Sequence, residues 1–530
     1  MRRIFFVLLL MIIFTSTAAA QDKKILYVPI DDRPCNLNQV VQVAEKLGYK
    51  LLTPPEGIIG TKGFNGDPDK MWAWVEENAP QADVAVLSTD SLIYGSLVGS
   101  RLHNLDAETI LERAKRFKTF HEKFPYMTIY AMGTIMRTPR SGSHASAEPE
   151  YYYTYGAKIF NYTALLDKQE MGLLKGGDNR AFKKLEKEIP QEYLEDWFKR
   201  RTKNFAANEL LVEYTRAGIF DYYLLGCDDS AMYSQTHRES RKLTELASDM
   251  GKTRIQVNGG VDEMGMLMIA RAINRDKDQR PFVSVMYNAG KGAETFPSYG
   301  NEPIGISIDA AIIAAGGLRI PAHERADLVL AVNTRANGKT LEANDIKRNK
   351  AKLRGDVKIF MEPLKDFIAK GYPVAIADIA FANGADNSLM NQLKVNDLQY
   401  RIKAYGGWNT ATNTSGFLIG AGVLTKFMGD DDVAELLTTR YLDDWVYQAN
   451  VRQEIVGASY ILPGEGTPLD LKDKLPPLEK LLNERMNAFA AENLHMPRRW
   501  HLANLQVNLP WKRTFECNPQ FTILGFMLPR

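Results

Sequence analysis

The sequence has few cysteines. Only Cys35, Cys227 and Cys517 occur in 530 residues, and no CxxC pair is present. Small exported domains that depend on disulfide bridges need many more, so the chain is not a disulfide scaffold. One bridge among the three remains open, and it would leave one free thiol. Cys227 is followed by acids rather than by a basic neighbour, which favours packing over a nucleophilic role.

The sequence also has little net charge. Without the two arginines of residues 1–20, it carries 64 basic and 64 acidic residues. Nucleic acids and anionic membrane surfaces require a basic excess or stripe, so we expect neither as a partner. The balance fits a neutral or mixed substrate.

The motifs of several cofactor and nucleophile classes are absent. The seven histidines form no HxH or HExxH, no GxGxxG or GxxxxGK[ST] follows the first strand-like run, and no GxSxG occurs. Zinc, nucleotide and α/β-hydrolase chemistry are therefore unsupported, and no cofactor is predicted. An oxygen-only Mg²⁺ or Ca²⁺ site remains an open alternative among the strand-end acids Asp31, Asp32, Asp90, Asp228 and Asp229.

Long apolar runs are confined to the start of the chain. Arg2 and Arg3 precede an apolar stretch over residues 4–14, and the small residues Ala18, Ala19 and Ala20 follow. This is the pattern of a secretory signal peptide, and no later run reaches the ~20 apolar residues of a membrane span. We expect an exported protein, periplasmic or extracellular, that is cleaved near Ala20 and has no membrane association afterwards.

Strand-like runs alternate with helical stretches through most of the chain, which is the rhythm of parallel βα units. About eight strands favour an α/β fold with a (β/α)8-like barrel, complete or distorted, and a doubly wound open sheet is the alternative. We predict a barrel-like core over residues 22–415, a helical insertion over 144–219 and a helical C-terminal region over 416–530.

The most informative stretch is DYYLLGCDDSA, residues 221–231, where an apolar run ends in the adjacent carboxylates of Asp228 and Asp229. Ligands of α/β proteins bind at the carboxyl ends of strands, where these acids are predicted to lie. The alternative is that one Asp caps the next helix and the other is solvated. Neighbours in a strand point to opposite faces, so both acids share a site only if the strand has already turned, as Gly226 allows.

Polar side chains recur at other predicted strand ends, although each alone is an ordinary cap or turn residue. Asp, Asn, Tyr and Trp hydrogen-bond and stack on sugar rings, so we predict a carbohydrate pocket where these ends converge. Trp408 lies between Gly407 and Asn409 and is interpreted either as a core residue or as a stacking platform. The predicted substrate-binding residues are Asp31, Asp32, Arg33, Asp90, Tyr94, Asn258, Asp262, Trp408 and Asn409; Arg137, Asn383 and Asn413 also occupy strand ends.

The segment LLGCDDSA resembles the strand-end Asp-Asp pair of the TIM-barrel hexosaminidases that use substrate-assisted catalysis. The resemblance implies that Asp228 orients the substrate acetamido group and that Asp229 is the general acid and base. It covers a few residues only. The first-strand glycine motif of those enzymes is absent, and PIDDRPCN stands in its place.

Over nearly its whole length the chain resembles a bacterial family classed as a domain of unknown function. The residues that carry this resemblance are YVPIDDRPCN, STDSLIYGSLVGSR, GCDDSA, GGVDEMG and GGWNTATNTSG. It implies no established reaction.

The leading hypothesis is an exported glycoside hydrolase acting on a neutral or N-acetylated amino-sugar glycan, with Asp228 and Asp229 as its catalytic residues. A non-catalytic glycan-binding protein and a metal-dependent hydrolase that uses the acidic strand ends are the alternatives.

Overall fold

The computed structural model describes residues 23–142 and 147–525. The predicted signal peptide therefore lies outside the described residues, as do the first residues of the predicted insertion.

The first half of the chain forms a parallel sheet of six strands in the spatial order β2-β1-β3-β4-β5-β6. The six strands are β1 (Lys23–Val28), β2 (Tyr49–Leu52), β3 (Val84–Ser88), β4 (Thr128–Ile135), β5 (Tyr222–Cys227) and β6 (Ile255–Gly259). The central strands β3, β4 and β5 are buried, mostly apolar runs, as expected of a parallel sheet covered on both faces.

The second half contributes β7 (Phe282–Tyr287), β8 (Leu318–Arg319), β9 (Leu328–Asn333), β10 (Leu341–Glu342), β11 (Val374–Asp378), β12 (Phe381–Ala382) and β13 (Ala404–Gly406). Five of these strands form a second parallel sheet in the order β13-β11-β9-β7-β8, and β10 pairs with β12. The antiparallel pair β14 (Trp500–Asn508) and β15 (Asn518–Gly525) completes the strands.

The predicted α/β fold is confirmed, but the strands of the described chain do not form a closed (β/α)8 barrel. In each sheet the chain first adds a strand on one side, β2 beside β1 and β8 beside β7, and then builds outward on the other side. This is the order of a doubly wound open sheet, with reversal points between β1 and β3 and between β7 and β9.

Helices cover both faces of each sheet. They are α1 (Asn38–Glu45), α2 (Pro68–Asn78), α3 (Thr89–Tyr94), α4 (Leu97–Leu102), α5 (Ala107–Lys123), α6 (Tyr152–Glu170), α7 (Asp178–Glu188), α8 (Gln191–Arg216), α9 (Gln235–Leu246), α10 (Met264–Asp276), α11 (Ile304–Ala314), α12 (Gly355–Ala369), α13 (Asn387–Val395), α14 (Ala411–Leu424), α15 (Asp430–Arg440), α16 (Arg452–Ile461) and α17 (Leu475–Asn493). A π-helical segment, Tyr441–Val451, joins α15 to α16.

The core is layered. In β1, Ile25 and Tyr27 belong to the largest buried cluster, whereas Leu26 and Val28 belong to the cluster on the opposite face. The largest cluster also contains α10, α11, α14 and one face of the second sheet. These three helices therefore lie between the two sheets and are shared by them.

Three helices, α6 to α8, separate β4 from β5 within the predicted insertion. The segment GGWNTATNTSG enters α14 at Ala411, and the predicted boundary at residue 415 falls inside this helix. All three cysteines are free and buried. In the described chain, none of the helices combines the length and apolar character that crossing a bilayer requires.

Candidate active site

The carboxyl ends of both sheets border one cleft of about 470 Å³. Its walls come from the loops after β1, β4, β5, β6 and β13, from α4, and from residues 511–515 near the end of the chain. The loop after β1 and the helix α4, which follows β3, flank the reversal point of the first sheet, where doubly wound folds bind their ligands.

Asp228 and Asp229 follow β5 directly and both line the cleft. Asp229 has a φ of 33°. In a strand, consecutive side chains point to opposite faces of the sheet. The left-handed backbone at Asp229 ends this alternation, so the two consecutive acids both face the cleft. The helix that follows is capped by Ser234, whose Oγ accepts from His237 N at 3.1 Å. Asp228 is therefore not the cap of α9.

The two acids have different surroundings. Asp228 is buried and forms an ion pair with Arg101, which is buried as well. The side chain of Asp229 is 27% exposed, and its Oδ2 lies 3.2 Å from Nη1 of Arg137. The same guanidinium donates from Nε to Glu148 at 2.5 Å. Asp228 is thus the sole salt-bridge partner of Arg101 among the described residues, whereas Asp229 shares Arg137 with Glu148.

Asp31, Arg33 and Asp262 form a buried wall of the cleft. Arg33 donates to Asp31 Oδ2 at 2.9 Å and to Asp262 Oδ1 at 2.6 Å. Asn409 donates to Asp262 Oδ2 at 2.6 Å. Burial raises the pKa of Asp262, while the Arg33 cation opposes that shift. This network ties the loops after β1 and β6 to the loop after β13 of the other sheet.

A further carboxylate, that of Glu342, lines the cleft from the β10–β12 pair. Glu342 in β10 accepts from Tyr299 Oη at 3.0 Å and from Asn383 Nδ2 at 2.9 Å. Burial, followed by the charges of Glu342 and Asp229, raises the pKa of Tyr299 well above its usual value. The charges of both Glu342 and Asp229 therefore act on the phenol of Tyr299.

Residues 511–515 form the fourth wall as a ladder of aromatic rings and guanidinium groups. Trp511 lies between Arg33 and Arg513, with cations 5.3 Å and 4.7 Å from its ring centroid. Phe515 lies next to Arg452, whose guanidinium carbon is 4.6 Å from the ring centroid. Trp511 Nε1 donates to Asp32 Oδ1 at 2.7 Å, which anchors this wall to the loop after β1.

Backbone strain is concentrated here. Of the nine non-glycine residues with positive φ in the described chain, four line the cleft. They are Asp229, Tyr299, Asn383 and Asn409, with φ of 33°, 65°, 59° and 64°. Each such conformation costs ~1–3 kcal/mol and persists where the surrounding structure enforces it, often at functional sites.

The structure brings six of the residues predicted from the sequence to the cleft: Asp31, Arg33, Asp228, Asp229, Asp262 and Asn409. Arg137, Asn383 and Asn413, also noted at strand ends, line it too. Asp32 lies behind Trp511.

Four predicted residues lie elsewhere. Asp90 is buried, accepts from Thr134 Oγ1 at 2.7 Å, and has its pKa raised by burial to about 7. The ring of Tyr94 stacks on that of His103, with 4.9 Å between the ring centroids. Asn258 borders a small separate cavity. Trp408 is buried, and its ring centroid lies 6.3 Å from that of Phe515.

The cleft also contains residues that were not predicted from the sequence: Arg101, Glu342, Tyr299, Arg452, Trp511, Arg513 and Phe515. The last three alternate in WKRTF, residues 511–515. That alternation of rings and guanidinium is the signal that could have found them. Among the described residues, no group of three or more His, Cys, Asp or Glu side chains is arranged to hold a metal ion.

Among known proteins and protein families, the chain matches a family model. No curated protein and no solved structure matches the chain significantly. The model of one family, described as a protein of unknown function (DUF4127), matches residues 25–520. That span covers both sheets, the shared helices and every wall of the cleft, so the chain belongs to the DUF4127 family.

Proposed function

We propose that the protein is an exported glycoside hydrolase in which Asp229 donates and accepts the proton of the glycosidic oxygen and Asp228 orients the substrate. The observation that carries the proposal is the unequal environment of these two adjacent carboxylates at the end of β5. Asp228 is buried against Arg101, whereas Asp229 is partly exposed to the cleft. Glycoside hydrolysis needs carboxyl groups in unequal environments, because they perform different roles.

Asp229 suits proton transfer. The charge of Arg137 is already balanced by the buried Glu148, which lies closer to the guanidinium than Asp229 does. Because Arg137 already has Glu148 as a counter-ion, the partly exposed carboxyl of Asp229 is the one that a glycosidic oxygen in the cleft can contact.

Asp228 suits a fixed acceptor. Protonation of its carboxylate would leave Arg101 buried without a counter-ion, and breaking such a buried pair costs ~3–5 kcal/mol. A carboxylate held in this way accepts a hydrogen bond from a substrate amide or hydroxyl. This is the orienting role that the resemblance to the hexosaminidases implies.

Glu342 supplies a further carboxylate. Its oxygens accept from the neutral donors Tyr299 and Asn383. We assign it to stabilising the positive charge that develops on the sugar ring in the transition state. The rings of Trp511 and Phe515 line the same cleft and offer apolar faces on which a sugar can stack.

The first test compares the turnover of the Asp229→Asn variant with that of the unaltered protein on a panel of aryl-glycosides. General acid catalysis contributes ~100-fold to ~10,000-fold, so we expect turnover to fall by that factor for substrates with poor leaving groups. Nitrophenyl leaving groups need less protonation, so their loss should be smaller. Asp397→Asn is the matched control, because Asp397 is exposed and also has a positive φ, 56°; its turnover should equal that of the unaltered protein.

Unchanged activity of Asp229→Asn would contradict the assignment. Sugar binding without any turnover would instead support a glycan-binding protein, and loss of turnover with a chelator would support a metal-dependent hydrolase.

A further inference from the structure

Arg452 is an arginine of the cleft with an unusual environment. It is the first residue of α16, and its side chain lines the cleft. Nη1 donates to Gln448 Oε1 at 3.0 Å, and the guanidinium lies over the Phe515 ring. Its Nε is buried and has no hydrogen-bond partner in the described chain. The guanidinium is held in place while part of its donor capacity stays unused.

The other arginines of the cleft each have a carboxylate. Arg33 is paired with Asp262 at 2.6 Å and Arg513 with Glu516 at 2.6 Å. The pairs Arg101–Asp228 and Arg137–Glu148 complete the set. Within the described residues, Arg452 forms no salt bridge.

The acids whose charges reach Arg452 are already engaged, and Glu516 is paired with Arg513. Glu342 lines the same cleft, but its two oxygens accept from Tyr299 and Asn383. Burial lowers the pKa of Arg452, which is the expected response of a cation removed from water without a paired anion. A charge held in this way is stabilised when an anion of a ligand reaches it.

We propose that Arg452 binds an anionic substituent of the glycan, a carboxylate or a sulfate, so that the substrate is an acidic sugar. The inference rests on the proposed glycan function and deepens it. The guanidinium fork matches the geometry of a compact oxyanion, and the Phe515 ring beneath it holds the fork in one plane. Trp511 and Phe515 then contact the ring of the sugar that carries the substituent.

The test measures binding, not turnover. Calorimetric titration of the full chain compares methyl glucuronide, glucose sulfate, methyl glucoside and inorganic sulfate. We expect the acidic sugar that matches the site to bind ~10-fold or more tightly than the methyl glucoside, and this advantage to shrink as salt increases. The first two probes distinguish a carboxylate from a sulfate.

Two variants assign the preference to Arg452. Arg452→Met should abolish the advantage of the acidic sugar over the methyl glucoside. Arg452→Lys keeps the positive charge but loses the forked guanidinium group, so it should retain part of the affinity advantage of the acidic sugar. Arg498→Met, at an exposed arginine, is the control and should behave as the unaltered protein.

Three results would overturn the inference: equal affinity for acidic and neutral sugars, a preference that survives in Arg452→Met, or no binding of any probe. Inorganic sulfate binding as tightly as the sulfated sugar would assign the site to a free anion and overturn it as well. An Arg452-dependent preference without hydrolysis would sustain the inference and refute the proposed hydrolase. Hydrolysis of sugars without any preference for acidic ones would refute the inference and sustain the proposed hydrolase.

Discussion

Glu263 shows how a single buried acid links the stability of the fold to pH. It follows β6 and immediately precedes α10, beside the small cavity that contains Asn258. Its Oε2 is buried with no partner in the described chain, and burial raises its pKa from 4.5 to about 8. The folded protein therefore favours the protonated form.

Glu263→Gln tests this effect. The stabilisation from the protonated carboxyl is complete below pH 4.5 and is lost as the pH rises through about 8. Relative to the unaltered protein, the variant should therefore gain ~1 kcal/mol or more of unfolding free energy between pH 5 and pH 9. Urea unfolding at both pH values measures the difference. Glu484→Gln, at an exposed glutamate, should show no such change; a constant offset for Glu263→Gln would contradict the prediction.

Part of the candidate site was predictable residue by residue. Asp31, Asp228 and Asp262 follow strands directly, so the periodicity of the chain is enough to place them at the sheet edge. Asp90 also follows a strand, but Thr134 and burial place it in the interior. Whether a strand-end acid faces a cleft or the core depends on the packing of neighbouring loops, which local patterns do not encode.

At the scale of elements, the start of α9 decides between two interpretations of the Asp pair. Ser234 has an extended backbone, and its hydroxyl accepts from His237 N, so it is the cap. The six residues between Cys227 and Ser234 form a loop that presents the acids to the cleft.

Ser234→Ala should therefore destabilise the protein by ~1 kcal/mol, the usual cost of losing a helix cap. Asp228→Asn should leave the amide protection of the first turn of α9 unchanged. Hydrogen exchange of His237 and denaturant unfolding measure the two effects. Ser248→Ala, at an exposed serine, is the control. Loss of protection in Asp228→Asn would restore the capping hypothesis.

The helix α14 shows why elements can be misassigned from local composition. Its first turns, ATNTSG, contain residue types that favour turns, and the predicted end of the core, at residue 415, falls among them. In the structure nearly every residue of α14 is buried between the two sheets. Tertiary packing overrides weak intrinsic propensity in such a segment.

At the scale of the whole molecule, the two sheets share α10 and α14. A Cβ at Gly420 of α14 would lie 3.0 Å from the backbone of Met266 in α10, so the glycine permits the close approach of the helices. A change at this contact acts on both halves of the fold.

Gly420→Val should cost ~1–3 kcal/mol by overpacking this contact. Because the layer is shared, we expect one calorimetric unfolding transition that moves to lower temperature as a whole. Gly457→Val in α16 is the control, because a Cβ there meets nothing within 4 Å. Two separate transitions, with only one shifted by Gly420→Val, would contradict the shared core.

The α/β alternation was predictable, but the pairing of the strands was not. A barrel and a pair of doubly wound sheets have the same rhythm of strands and helices, and they differ only in which strands are neighbours. The balanced charge of the whole chain was likewise uninformative about the cleft, where Arg452 is the one lining arginine that forms no salt bridge within the described residues.

The hydrogen bond from Trp511 to Asp32 joins residues 479 positions apart. During synthesis, the loop after β1 is made long before the wall that faces it, and both sheets are made in between. The cleft is therefore completed only after residues 511–515 have been synthesised. A chain interrupted before residue 511 lacks that wall, so ligand binding distinguishes it from a chain that includes residues 511–515.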